Sequence, residues 1–490
     1  MVLEPSRQLI AAGEVDRGCV LPKCSDGIQT AAVSVDIEGM SNKTFRPWVV
    51  DQHQMFPPSP LDLVPADHLV HFIRDLVREE LDLGAIFAAY KVRCGHPPYH
   101  PGLMTALLLY AYSRGIYSSR RIERACEERV DFMALTGMAK PDHSTVCKFR
   151  NDHREALSEL FVQVLSLCRD AGIAKLGHVA LDGTKMKANA SKHAAMSYAR
   201  MKAKEPELAA IVEAWMNEAK ETDEGEDDEH GPDRRGDEMP DHIKAKVKKL
   251  ARIRASMARL EEQAKEEAER LAKERAAKEK EKGRALGGPK PKALDGEPKD
   301  EDQSNFTDPD SRIMMTKDGY QQTYNCQAAV DAENQVIVAL SVGQEQNDYD
   351  ELVPLLDQIK AHTGQYPTEV SADTGYCSEE NLKDLDERGI SGYIATGRQT
   401  HGTSSPTSNE EAHQGPLCNA MRARLRRGGW RSRYRLRKQT VEPVFGQVKE
   451  ARGFRRFLLR GLAKVTGEWF LLGTAHNLLK LAGARGASRA

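Results

Sequence analysis

The chain has 490 residues, a formal net charge of -2, and 40% hydrophobic against 29% charged residues, enough apolar material for two to four domains with a substantial core. No apolar stretch approaches the ~20 residues that span a bilayer, and Glu4 and Arg7 beside a weakly apolar segment make no signal-peptide pattern. The nine cysteines are odd in number and lack a C-x-x-C pair, and Cys19 and Cys24 have no partner pair at zinc-ligand spacing, so free thiols in a reducing cytoplasm are expected.

The near-neutral total hides segregation. Thirteen arginines or lysines lie between 422 and 456, with Arg460 beyond, against only Glu442 and Glu450. Residues 221–241 are mostly acidic instead. Such local blocks, not the total, carry information about partners.

Residues 1–45 are polar and aperiodic and read as a loose arm. From Leu61 to Tyr90 apolar residues recur at helical spacing (Leu69, Phe72, Ile73, Leu76, Leu81, Ile86, Phe87). The proline-rich break Gly95–Pro101 interrupts them, and helices are predicted from Leu103 to Tyr112, from Ser118, and from Val130 to Leu135. Pro141-Asp142-His143-Ser144-Thr145 opens another, with Asp142 and its neighbours as capping candidates. It carries Lys148, Arg150, His153 and Arg154 on one side and Val146, Phe149 and Leu157 on another. A helical domain over 46–172 follows. Its last helices fit a helix-turn-helix DNA reader with Lys148, Arg150 and Arg154 nearest the DNA. An ordinary bundle with a solvated basic face fits them too.

The apolar run Gly177–Leu181 predicts a strand ending at Asp182. Residues 192–304 then change character: a helix from Lys192 to Lys220 with a break at Pro206, an acidic connector, and a long helix from His242 to Arg284. Ile243, Val247, Leu250, Met257, Ala264, Ala268 and Leu271 sit near a/d spacing, interrupted by Arg254 and Glu261, so a projecting antiparallel helical hairpin is expected. A linker over 287–303 closes it. Strand signals return as a hairpin (324–331 and 335–342), a helix (349–359), a strand (368–373), a helix (379–387) and a strand (390–395). Without the insert, 173–191 and 305–482 make an α/β core, followed by a tail over 483–490.

Three acids stand out against this frame. Asp182 and Asp373 end strand-like runs, and Glu442 lies just past the arginine cluster. Hard carboxylate oxygens suit Mg²⁺ or Mn²⁺, and surrounding arginines suit a polyanion, so the set points to metal-assisted chemistry on nucleic-acid phosphodiesters. Each acid also has an ordinary reading. Asp182 is a turn acid, Asp373 a cap over Thr374-Gly375, and Glu442 a first-turn residue before Pro443. Asp308, Asp310, Asp331 and Asp348 are poorer ligand candidates. Trp469, Phe470, Leu472, Leu478 and Leu479 read as core.

The ordered stretches Leu181-Asp182-Gly183-Thr184-Lys185, Ser371–Tyr376, Val441–Gly446, Gly453–Phe457 and Arg460-Gly461, with Gly95–Pro101 and Pro141–Thr145 upstream, resemble the DDE-type insertion-sequence transposases over most of 45–482. The resemblance implies a ribonuclease-H-like core, a mixed sheet flanked by helices, in which the first and fourth strands are parallel neighbours. It implies Asp182, Asp373 and Glu442 as catalytic metal ligands for two Mg²⁺ ions, with Mn²⁺ able to substitute. The branch with a Tyr-Arg-Glu-Lys signature places Tyr434, Arg437, Glu442 and Lys449 in those roles. The Arg-to-Glu spacing is one residue longer than that signature, so Lys438 competes with Arg437. Arg431, Arg433, Arg435, Arg437, Lys438 and Lys449 are then expected on DNA phosphates. The implied partners are duplex terminal inverted repeats and target DNA, bound by a homodimer in the cytoplasm, with no membrane contact. A catalytically silent DNA-binding regulator and a coiled-coil assembly protein are the rival readings.

Overall fold

A computed structural model of the chain describes residues 59–90, 97–230, 240–282, 295–397 and 415–486. The expected arm at 1–45, the first part of the expected linker and the last four residues lie outside the described residues.

The N-terminal region is helical: α1 (Leu69–Glu79), α2 (Gly84–Ala88), α3 (Pro101–Ser113), α4 (Ser119–Glu128), α5 (Val130–Thr136), α6 (His143–Asp152) and α7 (Arg154–Asp170). Local chemistry sets the boundaries. Pro101 opens α3, where its missing N–H costs nothing. Gly137, at φ 59°, closes α5. Asp142 accepts from the Ser144 and Thr145 amides and starts α6. The single helix predicted beyond Asp142 is two, broken at His153.

Among the described residues the strands are β1 (His178–Lys187), β2 (Ala195–Ser197), β3 (Gln303–Asn305), β4 (Arg312–Thr316), β5 (Gly319–Asp331), β6 (Ile337–Gly343), β7 (Glu369–Ala372) and β8 (Ser391–Ile394). The main sheet runs β4-β5-β1-β7-β8, with β6 also on β5. β5 is antiparallel to β1, β4 and β6, while β1, β7 and β8 run parallel. The two runs that end near Asp182 and Asp373 are thus parallel neighbours. β4 went unpredicted, although Asp318-Gly319 is a turn signal; Gly319 sits at φ 87°. Helices α10 (Leu352–Thr363), α11 (Glu379–Glu387), α12 (Pro416–Gly428), α13 (Leu436–Gly446) and α14 (Leu462–Ala484) complete this mixed α/β region.

The helical region and the α/β core pack on one another. One buried apolar cluster runs from Val64 to Ala482, and α14 is its axis. α14 packs on α3 and α7 of the N-terminal region and on β6 of the sheet. Cutting the chain near Gly172 would strip α3 and α7 of α14, so DNA binding by the helical region is properly tested in the full chain.

The insert differs in detail from its prediction. Lys192–Ala194 is a short 3₁₀ turn and Ala195–Ser197 a strand before α8 (Tyr198–His230) begins. α8 continues through Pro206 and through the first ten residues of the expected acidic connector. Opposite it, α9 (Asp241–Lys282) buries Leu250, Ile253 and Leu260 against Met201, Leu208 and Val212. The seam runs one residue before Arg254 and Glu261, which face partners instead: Arg254 pairs with Glu205, and Tyr198 donates to Glu261 at 2.8 Å. β2 and β3 close the base, with the Tyr198 amide donating to the Asp302 carbonyl at 2.8 Å. Because this hairpin carries its own core and its ends meet, replacing 199–301 by a short Gly/Ser linker is expected to leave the melting temperature of the remainder within a few degrees. A drop of about 10 °C or more would show that the α9 contact through Arg259 and Asp310 supports the core.

Candidate active site

β1 does not end at Asp182; it continues to Lys187 against β5. The strand carries on because Gly183 to Lys187 keep pairing with Gln327 to Thr323, while β7 leaves the sheet earlier. The last registered β1–β7 pair is Ala180 with Ser371. Asp182 and Asp373 each lie two residues further, level with each other and on one face by the period-two rule. One Asp373 oxygen accepts from the Gly375 amide at 2.9 Å, the capping contact its sequence suggested.

α13 brings the third acid across that face, packing on β1, β5 and β7. Glu442 is not in a first helical turn, because α13 starts at Leu436 and Pro443 lies inside it. Arg437 connects the acids: it donates to Asp182 Oδ2 at 2.7 Å and to Glu442 Oε1 at 3.2 Å. Its side chain and that of Asp182 are 12% and 13% exposed, against 46% for Glu442, so the Asp182 contact is the dry one. Arg437, rather than Lys438, therefore occupies the position between the acids, and Lys438 is exposed. Tyr434 is buried with its ring 6.0 Å from the Arg437 guanidinium carbon, so it backs Arg437.

The electrostatics follow from this crowding. Burial pushes the Asp182 carboxyl up to about 7; Arg437 opposes the shift, and Asp373 and Glu442 add to it. Burial also raises Asp373, against the Gly375 amide and Arg437 and with Asp348. The ion pair with Arg437 alone would favour ionised Asp182; burial and two like charges outweigh it. Lys449 donates to Thr184 Oγ1 at 2.5 Å, one step along β1 from Asp182 on the same face, and burial lowers its pKa.

Asp348 stands near Asp373. Asn325 and Gln327 donate to its Oδ1 at 2.7 and 2.6 Å. A Cβ on Gly183 or Gly375 would meet Asp348 oxygens at 2.9 and 3.0 Å. Those two glycines are what admit a fourth carboxylate beside the residues following Asp182 and Asp373. Asp308, Asp310 and Asp331 stand elsewhere: the first two accept from the Gly461 and Leu462 amides at the start of α14, and Asp331 accepts from Leu176. Among the described residues, no group of three Asp, Glu, His or Cys side chains stands close enough to hold a metal ion.

Several predicted DNA contacts are placed otherwise. Arg150 is buried and donates to the Tyr112 hydroxyl and the Tyr117 carbonyl at 3.0 and 3.1 Å. Arg154 lies across α14 at Gly467, where an added Cβ would strike it at 2.6 Å. Arg150 is thus turned into the core, whereas Arg154 stays partly exposed against α14. Lys148 is exposed. Arg433 pairs with Glu369 at the opposite end of β7 from Asp373, not beside Glu442. Arg431 and Arg435 are exposed. Glu369 also contacts His178 at 3.0 Å, whose other nitrogen meets Ser371 Oγ at 2.9 Å. That Ser-His-Glu series has nucleophile spacing, but Ser371 is fully buried and no substrate reaches it.

Two family models match the chain. One described as "Transposase domain (DUF772)" covers residues 58–152, the region of α1 to α6, and one described as "Transposase DDE domain" covers 294–478. These matches support an insertion-sequence transposase of the DDE type. It is 38% identical over 79 residues to a Burkholderia cepacia protein named "Putative transposase for insertion sequence element IS402", a match over 15% of this chain and 37% of that relative. The chain thus spans little more than a third of that transposase's length. No solved structure matches. The DDE-domain match begins after the helical hairpin and does not contain Asp182, so Asp182 joins Asp373 and Glu442 through strand register and Arg437 rather than through the match.

Proposed function

We propose that this chain is a DNA transposase that binds terminal inverted repeats, hydrolyses a phosphodiester to free a 3′-hydroxyl, and joins that hydroxyl to target DNA. The observation that carries the reading is Arg437 bridging Asp182 and Glu442 beside Asp373, from elements far apart in sequence. The strand order supports a ribonuclease-H-like core, with a β6-β5-β1-β7-β8 sequence of neighbours and parallel β1 and β7 at its centre.

The donor set fits a divalent cation. Asp182, Asp373 and Glu442 offer hard oxygens, and the two aspartates are held buried with like charges nearby (Asp373 and Glu442 beside Asp182, Asp348 beside Asp373), a setting in which a cation would offset the cost of ionising them. These residues would hold Mg²⁺ or Mn²⁺, two ions in our reading, and such ions supply charge stabilisation at the attacking and leaving oxygens. The chain's own groups do the rest. Arg437 holds Asp182 and Glu442 in register, and Tyr434 backs Arg437. Lys449 is poised to meet a phosphate beside Thr184. Exposed Arg431, Arg435, Lys438 and Lys148 remain candidates for phosphate contacts along bound DNA. Synapsis of two ends by a homodimer in the cytoplasm completes the proposal. Among the described residues no helix is long and apolar enough to cross a membrane.

Purified chain incubated with Mg²⁺ and a supercoiled plasmid carrying the element's two ends is expected to yield 3′-hydroxyl nicks at those ends, then joined products. Tight end binding without a nick in Mg²⁺ or Mn²⁺ would instead support the regulator and sink the enzymatic reading.

A further inference from the structure

We propose that Gln335, a turn residue outside every transposase motif read from the sequence, is the positioning residue for both Glu442 and Lys449. The inference rests on the assignment of Glu442 to the active site.

The reason begins with Pro443. Inside α13 it has no N–H to offer the Gln439 carbonyl four residues earlier, so that helical hydrogen bond is missing. Gln335 replaces it: its Nε2 donates to the Gln439 carbonyl at 3.1 Å. The Gln335 Oε1 accepts from Gln447 Nε2 at 3.2 Å and from Lys480 Nζ at 3.0 Å. One side chain therefore grips the segment on either side of Glu442 and anchors it to α14.

The grip closes into a ring. The His476 Nε2 donates to the Gln335 carbonyl at 2.8 Å, and its Nδ1 accepts from Arg452 Nη2 at 3.0 Å, which assigns the neutral Nε2–H tautomer. Arg452 Nε in turn donates to the Gln447 carbonyl at 3.3 Å. The ring encloses the π-helical turn Gln447–Ala451, which carries Lys449. Such turns widen a helix by a residue and need outside support.

Gln335 also sits at φ 59°, in the left-handed region that suits Gly or Asn and strains a longer side chain. Turn stability alone would favour Gly or Asn at this position. A glutamine is needed where a side chain must cross from the β5–β6 turn to α13. Strain held in place by several specific contacts is typical of positions that serve a site.

The test is a double-mutant cycle on single-turnover cleavage in the full chain, with Glu442→Gln as the control. Gln335→Met keeps the length of the side chain and removes its polar ends. It is expected to slow cleavage by about tenfold. In a Pro443→Ala background the new amide can bond Gln439 within the helix, so the same substitution is expected to cost only about a third as much, expressed as a ratio to the Pro443→Ala parent. Equal losses in the two backgrounds, or no loss in either, would overturn the proposal. Gln335→Gly gives an independent readout. It relieves the positive φ, so the melting temperature should hold or rise while cleavage falls; a parental rate in this variant also overturns it. Cleavage surviving in Glu442→Gln would instead indict the active-site assignment, leaving the origin of any Gln335 effect separate from it.

Discussion

Asp182→Asn is expected to abolish Mg²⁺-dependent cleavage, by at least about 100-fold, and at the same time to make the protein more stable above neutral pH. The two effects have one cause. Asp182 is buried among like charges, and its pKa stands near 7 against an ordinary value of 3.8. A carboxyl whose folded pKa is raised binds more protons folded than unfolded between those two values. Stability contributed by its protonated form is therefore present at low pH and lost as pH rises from about 4 through about 7. Asparagine stays neutral throughout, so the variant should match the parent near pH 4 and exceed it at pH 8 by roughly 1–4 kcal/mol. Asp373→Asn should move in the same direction. Glu442→Gln should remove cleavage with little change in stability, because Glu442 is half exposed. Urea unfolding at pH 4, 6 and 8, beside a cleavage assay, checks this. Asp182→Asn less stable than the parent at pH 8 would mean the Arg437 pair outweighs the burial cost. Retained cleavage would remove Asp182 from the site.

That coupling bears on metal loading. Cation binding at Asp182 must displace the proton that burial favours, so affinity for Mn²⁺ in the DNA-free chain should rise between pH 6 and 8. A site with ordinary carboxylates would be saturated in this respect well below pH 6.

The sequence made the local elements legible and left the long-range ones opaque. α11 is the helix predicted at 379–387, with Ser378 capping it, and the β5–β6 hairpin lies where the apolar runs bracket Ala332 to Asn334. Asp182, Asp373 and Glu442 stood out because each sits in a distinctive neighbourhood, and the parallel β1–β7 pairing places the first two level. The burial of Arg150 was not legible because a helix's basic side reveals nothing about what covers it, and here Tyr112 and Tyr117 do. The place of Asp348 depends on Asn325, Gln327 and the bare backbone at Gly183 and Gly375, residues that no local pattern brings together. Pro443 was read as a first-turn proline since that is where proline usually sits. Its place within α13 becomes intelligible only with Gln335 beside the Gln439 carbonyl.

Arg437→Ala carries the second large expected effect, and it separates Arg437 from its neighbour Lys438. Arg437 satisfies Asp182 from a nearly dry position and reaches Glu442 with its other nitrogen. Removing the guanidinium leaves a buried carboxylate unpaired, a change that costs about 3–5 kcal/mol where the charge persists. Asp182 can escape by taking up a proton, so the penalty should be small at pH 6 and grow toward pH 8. Cleavage should fall sharply, because Asp182 and Glu442 lose the group that spaces them. Arg437→Lys keeps the charge but cannot bridge two carboxylates with a planar fork, so it should recover stability better than activity. Lys438 is exposed, and its substitution by alanine should leave the pH dependence of stability alone. If Lys438 meets a phosphate, its loss flattens the slope of log K against log[salt] by about 0.9 and weakens end binding evenly across sequences. Matching pH profiles for Arg437→Ala and Lys438→Ala would contradict the geometry. In that case the longer spacing to Glu442 would have shifted the basic role onto Lys438, with the Arg437 bridge giving way once DNA is bound.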